Sequence, residues 1–171
     1  MYEGESKCVE AKEQWRPLDG IDKGCFGCGA ENHHGLHMQF ETDGSHRRST
    51  LIMEDRFRGW SNLIHGGILS TILDEIMGWT VIRLTGKFML TKGMQVRFRK
   101  PVRVGMKLTV TGFIKERLSE RKALVVAEIH DETGSLCASS EGEFSLFTRE
   151  QFLQMEIIPE EDMEAMLAAI S

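Results

Sequence analysis

At 171 residues the chain is the size of one domain with one core, since compact domains cluster at roughly 100 to 150 residues and split only beyond about 250. A net charge of -5 and a pI near 5.7 argue against a general binder of nucleic-acid backbones, which carries a strong basic excess. No run reaches the roughly 18 to 20 uninterrupted apolar residues of a membrane span, and the start MYEGESKCVEAKEQW lacks the basic and apolar segments of an export signal. A soluble, cytoplasmic protein is therefore expected, with Cys8, Cys25, Cys28 and Cys137 as reduced thiols.

Residues 1–24 are polar, mixed in charge and without a sustained period, and read as an N-terminal arm with a short helix around Lys7 to Gln14. From Gly35 the pattern changes to short runs bounded by turn residues. Leu36 to Glu41 reads as a strand, Thr42-Asp43-Gly44-Ser45 as a hairpin turn and Arg48 to Met53 as a second strand. Phe57 to His65, with Gly59, Ser61 and Asn62, reads as a loop.

Gly67 to Leu84 carries no turn signal and has apolar side chains around nearly the whole helical circumference, the mark of a buried helix. Gly86 supplies the left-handed cap and Lys87 a favourable charge against the dipole. Four strand-like runs follow at Lys92 to Arg99, Lys107 to Arg117, Ala123 to Asp131 and Leu136 to Phe147, with connections short enough for antiparallel neighbours. The tail, residues 149–171, reads as a helical appendage, with turns at Arg149 to Met155 and a helix opening on Pro159 and rich in alanine. The layout is α+β: an antiparallel sheet wrapped around a long central helix. One sheet cannot cover every side of that helix, so a homodimer is expected to bury the rest.

On a helical wheel Gly67, Ser70, Thr71, Asp74 and Gly78 share one narrow stripe, and Asp74 is its only carboxylate. Deprived of water there, it becomes a better proton acceptor, and Gly78 leaves room for approach. The plainer alternative is a core carboxylate that accepts a hydrogen bond from a strand or a dimer mate. Glu75 points about 100° away and could as easily be solvated at the sheet edge. His65-Gly66-Gly67 sits where loop becomes helix, so amides of the first turn point outward at the positive end of the dipole, an arrangement that polarises a carbonyl. A tight structural turn is the plain reading of two glycines alone; the acid nine residues after His65 makes the combination more specific.

The stretch Ile64-His65-Gly66-Gly67-Ile68-Leu69-Ser70-Thr71-Ile72-Leu73-Asp74-Glu75, followed by Met94-Gln95-Val96-Arg97-Phe98-Arg99-Lys100-Pro101-Val102, resembles the hotdog-fold thioesterases of the phenylacetate-pathway type and their mammalian relatives. The likeness runs from Cys25 to about Phe147, and Cys25-Phe26-Gly27-Cys28-Gly29 with Asn32 and Gly35-Leu36 resembles the opening of a bacterial branch. The resemblance implies a hotdog domain over residues 25–148 and a site built across a dimer interface. It implies Asp74 as general base or nucleophile, the Gly66 amide on the carbonyl oxygen, His65 beside it, and Thr91 as a hydroxyl that places the water or the acid. Many relatives carry Asn or Gln six residues before the His, where this chain has Gly59; Asn62 is near but out of register.

For coenzyme A (CoA), Arg97, Arg99, Lys100 and Arg103 form a basic cluster suited to phosphates, with a solvated strand face as the alternative; Lys115 and Arg117 are weaker candidates. Cys25 and Cys28 make a C-x-x-C pair with His33, His34 and His37 close behind, but a structural zinc needs four ligands and a second cysteine pair is missing, so no metal and no cofactor is expected. The working expectation is a thioesterase that hydrolyses an acyl-CoA to free acid and CoA, as a homodimer or a dimer of dimers. Its rivals are a non-catalytic acyl-CoA binding or sensor module, which Gly59 keeps open, and a hydratase. The latter calls for an Asp paired with a His before the helix, and no Asp lies between Asp55 and Asp74.

Overall fold

The structure, a computed structural model, describes residues 15–18 and 22–164. The expected helix at Lys7 to Gln14 and the end of the alanine-rich tail lie outside the described residues. Strands β1 (Arg16–Leu18), β2 (Phe40–Thr42), β3 (Arg47–Ile52), β4 (Phe88–Phe98), β5 (Lys107–Ser119), β6 (Lys122–Asp131) and β7 (Leu136–Phe147) form one sheet in the order β1-β2-β3-β5-β6-β7-β4. Every pairing is antiparallel. The long helix α1 (Gly66–Thr85) leaves the β3 side of the sheet and returns the chain to β4 at the far edge. This is the α+β arrangement read from the sequence.

Strand alternation supplies the wall against which α1 packs. In β6 Ala123, Val125, Ala127 and Ile129 are fully buried on one face, and Leu108 and Val110 of β5 and Phe144 and Leu146 of β7 complete the surface. Ile72, Leu73, Ile76, Met77 and Val81 of α1 are buried against it. Each such side chain contributes about 1.5–3 kcal/mol relative to an exposed one. Gly86 ends the helix at φ 64°, a left-handed conformation that an L side chain rarely adopts, and its amide closes on the Ile82 carbonyl.

The two halves of α1 differ. From Ile76 to Ile82 every residue is buried, because Phe40 stacks on Trp79 at 4.6 Å and the loop of residues 22–38 covers the side opposite the sheet. From Gly66 to Glu75 the sheet covers one side only, and Gly67 stays exposed with Ser70, Thr71, Asp74 and Glu75 half-buried. The loop also corrects one sequence expectation. Leu36 and Met38 are buried at the alternate positions expected of a strand, but their amides bond to the carbonyls of Phe26 and Gly27, so strand pairing begins only at Phe40.

Helix α2 (Arg149–Leu153) opens with a capping box between Thr148 and Gln151, and residues 160–164 are helical. Phe152 stacks on Phe88 at 4.8 Å and Met163 joins them in a small second core, which holds the tail against the start of β4.

Candidate active site

The start of α1 is fixed by its cap. The His65 amide bonds to the Phe57 carbonyl, and its ring Nδ1 accepts the Gly67 N–H at 2.9 Å. In the neutral ring the proton therefore sits on Nε2. That bond occupies the Gly67 amide, so Gly67 does not present its N–H to a ligand. The Gly66 N–H has no partner among the described residues, and Gly66 lines a cleft of about 320 Å³ with Leu63, Ile64, Leu69, Phe98, Arg99, Lys100, Pro101 and Val102. Ser70 and Thr71 turn their hydroxyls back onto the Gly66 and Gly67 carbonyls at 3.0 Å, which spends them within the helix.

Two turns further on, Asp74 Oδ1 accepts the Thr91 hydroxyl at 2.9 Å. Thr91 reaches it from β4, where the pairing with β7 shifts register between Thr91 and Gly93. A bulge there turns the strand locally and re-aims the side chain. Asp74 is half-buried rather than cut off from water as the sequence reading expected. The reason is the one-sided cover of the first half of α1: the stripe borders β4, an edge strand, rather than the middle of the sheet.

Asp74 also borders a cavity of about 210 Å³ whose wall holds Cys25, Cys28, Glu75, Trp79, Ile82 and Met89. Glu75 is not at a solvated edge. Its Oε1 accepts the Trp79 indole N–H at 3.2 Å and lies 3.7 Å from Cys25 Sγ. The Cys28 thiol donates to Cys25, and that bond together with the Gly27 amide draws the Cys25 thiol down to about 7 against burial and the Glu75 charge. Cys28 moves up for the same reason, as the donor of that bond and by burial. The sequence reading missed Glu75 as the partner of this pair because 47 residues separate Cys28 from it. His37 bonds instead to the Asn32 carbonyl at 2.7 Å.

The basic cluster divides. The Lys100 ammonium is paired with Asp131, and Arg103 donates to Asn62 Oδ1 at 3.0 Å. Arg97 donates to Gln95 at 3.0 Å on the exposed face of β4, and Arg99 rims the Gly66 cleft. Lys115 is paired with Glu141 at 2.5 Å and Arg117 is exposed. A side chain at Gly59 would start 3.3 Å from the His65 ring, so the Asn or Gln that relatives place there would stand beside the cap. Trp60, 84% exposed, and Phe98, 55% exposed, flank this region; neither stood out in the sequence because a lone aromatic in a loop or strand end carries no period.

The thioesterase superfamily model matches residues 61–138, the span that holds the helix cap, Asp74 and Thr91. Among solved structures, a thioesterase superfamily protein is 26% identical, with 76% of this chain and 66% of that one covered at a TM-score of 0.66. This chain thus spans just under two-thirds of that relative. The Escherichia coli PaaI protein of the phenylacetic acid degradation operon is 17% identical over 66% of this chain and 80% of its own, with a TM-score of 0.60. A Staphylococcus aureus acyl-CoA hydrolase, solved with butyryl-CoA, CoA and CoA disulfide, is 22% identical over 63% of this chain and 66% of its own, with a TM-score of 0.59. The last two establish the hotdog fold. None of the curated proteins matches the sequence. No helix among the described residues is long and apolar enough to cross a membrane.

Proposed function

We propose that this protein, a hotdog-fold chain whose residues 61–138 match the thioesterase superfamily, hydrolyses an acyl-CoA thioester to the free carboxylic acid and CoA. The observation that carries this reading is Asp74 held by the Thr91 hydroxyl at 2.9 Å on the open stripe of a helix whose first amide has no partner among the described residues. The Gly66 N–H stabilises the oxyanion that forms as the carbonyl is attacked. Asp74 either takes a proton from the attacking water or attacks the carbonyl carbon itself to give a mixed anhydride that water then opens. In both routes the carbon–sulfur bond breaks and the CoA sulfur leaves with the electron pair and takes up a proton.

One chain does not bring these groups to one carbon. Gly66 and Asp74 are eight residues apart on α1, about 12 Å along its axis. A second copy can. Among the described residues strand β4 pairs only with β7, leaving its other edge bare, and Thr91, Gln95, Arg97 and Phe98 are exposed along it. A long bare strand edge with apolar neighbours invites pairing with another strand. Joining two copies there covers the open half of α1, withdraws Asp74 from water and sets the Gly66 amide of one subunit toward the Asp74 of the other. Arg97, bonded only to the neutral Gln95, and Arg99, on the rim of the Gly66 cleft, are the cations offered to CoA phosphates, whereas the Lys100 ammonium is already paired with Asp131.

A thiol-release assay across short, long and aromatic acyl-CoA esters tests the activity, and Asp74→Asn tests the site. The variant should elute as the native oligomer with turnover reduced by about 10²–10⁴-fold. Full turnover by this variant on the best substrate removes Asp74 from the reaction. Tight binding of CoA esters by the native protein without thiol release instead favours a binding module, a reading that Gly59 beside His65 supports.

A further inference from the structure

We propose that Cys25, Cys28 and Glu75 form a binding site for a thiophilic divalent cation of the zinc class. The three offer two sulfurs and a carboxylate oxygen that all lie within 4.8 Å of one another. Cys25 Sγ stands 3.7 and 4.0 Å from the two Glu75 oxygens. A tetrahedral ion with sulfur at about 2.3 Å and oxygen at about 2.1 Å spans sulfur–oxygen edges of about 3.6 Å. The cluster therefore has nearly the dimensions that a bound zinc imposes.

The surroundings match a metal knuckle rather than a chance meeting of polar groups. The Gly27 N–H points at Cys25 Sγ at 3.3 Å, a donor that favours a thiolate, and the Trp79 N–H orients Glu75 at 3.2 Å. Such outer contacts fix the ligands of metal sites. A Cβ on Gly27 would lie 2.4 Å from Glu75 Cδ, so the loop closes onto the carboxylate only because that residue has none. Among the described residues Glu75 takes part in no ion pair, so two thiols and a carboxylate converge half-buried without a cationic side chain paired to them. A divalent ion supplies the missing charge. As it binds, each thiol releases its proton to solvent and the two metal–sulfur bonds form. The fourth position opens on the cavity beside Asp74, where a water completes the tetrahedron. In the fold, the ion fastens the loop of residues 22–38 to α1 at the wall of that cavity.

The test uses the full chain, reduced and stripped of metal, titrated with zinc in competition with a chromogenic chelator and separately loaded with cobalt(II). One zinc per chain and a thiolate-to-cobalt charge-transfer band are expected. Cys25→Ser and Cys28→Ser should lose the band, and Glu75→Gln should weaken zinc binding by about tenfold or more. Cys137→Ser should keep one zinc and the band. Circular dichroism reports the folding of each variant, and the native protein is decisive without them. The assignment is overturned if the native chain, with thiols shown reduced by mass spectrometry, gives no charge-transfer band. It is also overturned if the band survives in folded Cys25→Ser or disappears in folded Cys137→Ser.

Discussion

Replacing Thr91 by valine removes one hydroxyl and leaves the shape of the side chain nearly intact, so it isolates the bond to Asp74 at 2.9 Å. A hydrogen bond to a charged acceptor is worth about 1.5–3 kcal/mol, and each 1.36 kcal/mol is tenfold in rate. If that bond holds the carboxylate in its reactive orientation, kcat for the best acyl-CoA should fall by about 10- to 100-fold. KM should change little, because Thr91 positions the acid and does not carry the CoA. Stability should stay within about 0.5 kcal/mol, since Thr91 is exposed and valine suits a strand. Steady-state thiol release at saturating substrate and a thermal melt read the two quantities, and Thr91→Ser should recover most of the lost kcat by restoring the donor. Unchanged kcat in a folded valine variant, or a loss confined to KM, would refute the positioning role.

Arg97→Ala and Arg99→Ala should raise KM for CoA esters severalfold and flatten its dependence on salt, whereas Lys100→Ala should change KM less, because its ammonium already serves Asp131; KM measured across ionic strengths decides. The Lys100 ammonium, then the Thr133 hydroxyl and the Thr133 and Ser135 amides, hold Asp131 well below its ordinary value of 3.8. A depressed carboxylate contributes stability above its unfolded value and loses it as pH falls through and beneath that range. Urea melts from neutral pH downward should therefore show an acid limb that Asp131→Asn flattens, and an unchanged limb counts against the assignment. Ile76→Ala, at a fully buried position on α1, should cost about 2–5 kcal/mol and lower the melting temperature by about 4–20 °C; a loss under about 1 kcal/mol would mean that the helix is not packed as described.

Local signals were the legible ones. The apolar run and Gly86 placed α1 within a residue of its limits, because both a buried circumference and a left-handed cap are written in neighbouring residues. The limits of β5, β6 and β7 also lie within two residues of expectation, since each strand ends at a short turn. Strand β1 went unread because three residues containing Pro17 show no alternation. Leu36 and Met38 show the opposite failure: their alternation is real, but it reflects packing under the loop of residues 22–38 and not a ladder. At the candidate site Asp74 stood out as the only carboxylate on its stripe, whereas Thr91 was reached through resemblance alone. Its partner lies 17 residues away across a helix end and a strand bulge. The place of Glu75 stayed open in the sequence because the wheel gives a direction and not the neighbour that closes over it.

The ring stack between Phe152 and Phe88 gives the tail a mechanical part in whatever Thr91 does. Phe88 opens the edge strand three residues ahead of that hydroxyl, and a strand with a partner on one side only is prone to fray from its end. By clamping the first residue, the segment after Thr148 sets how firmly the hydroxyl is presented, so a shortened chain would fold around an intact centre yet hold Asp74 with a looser hand.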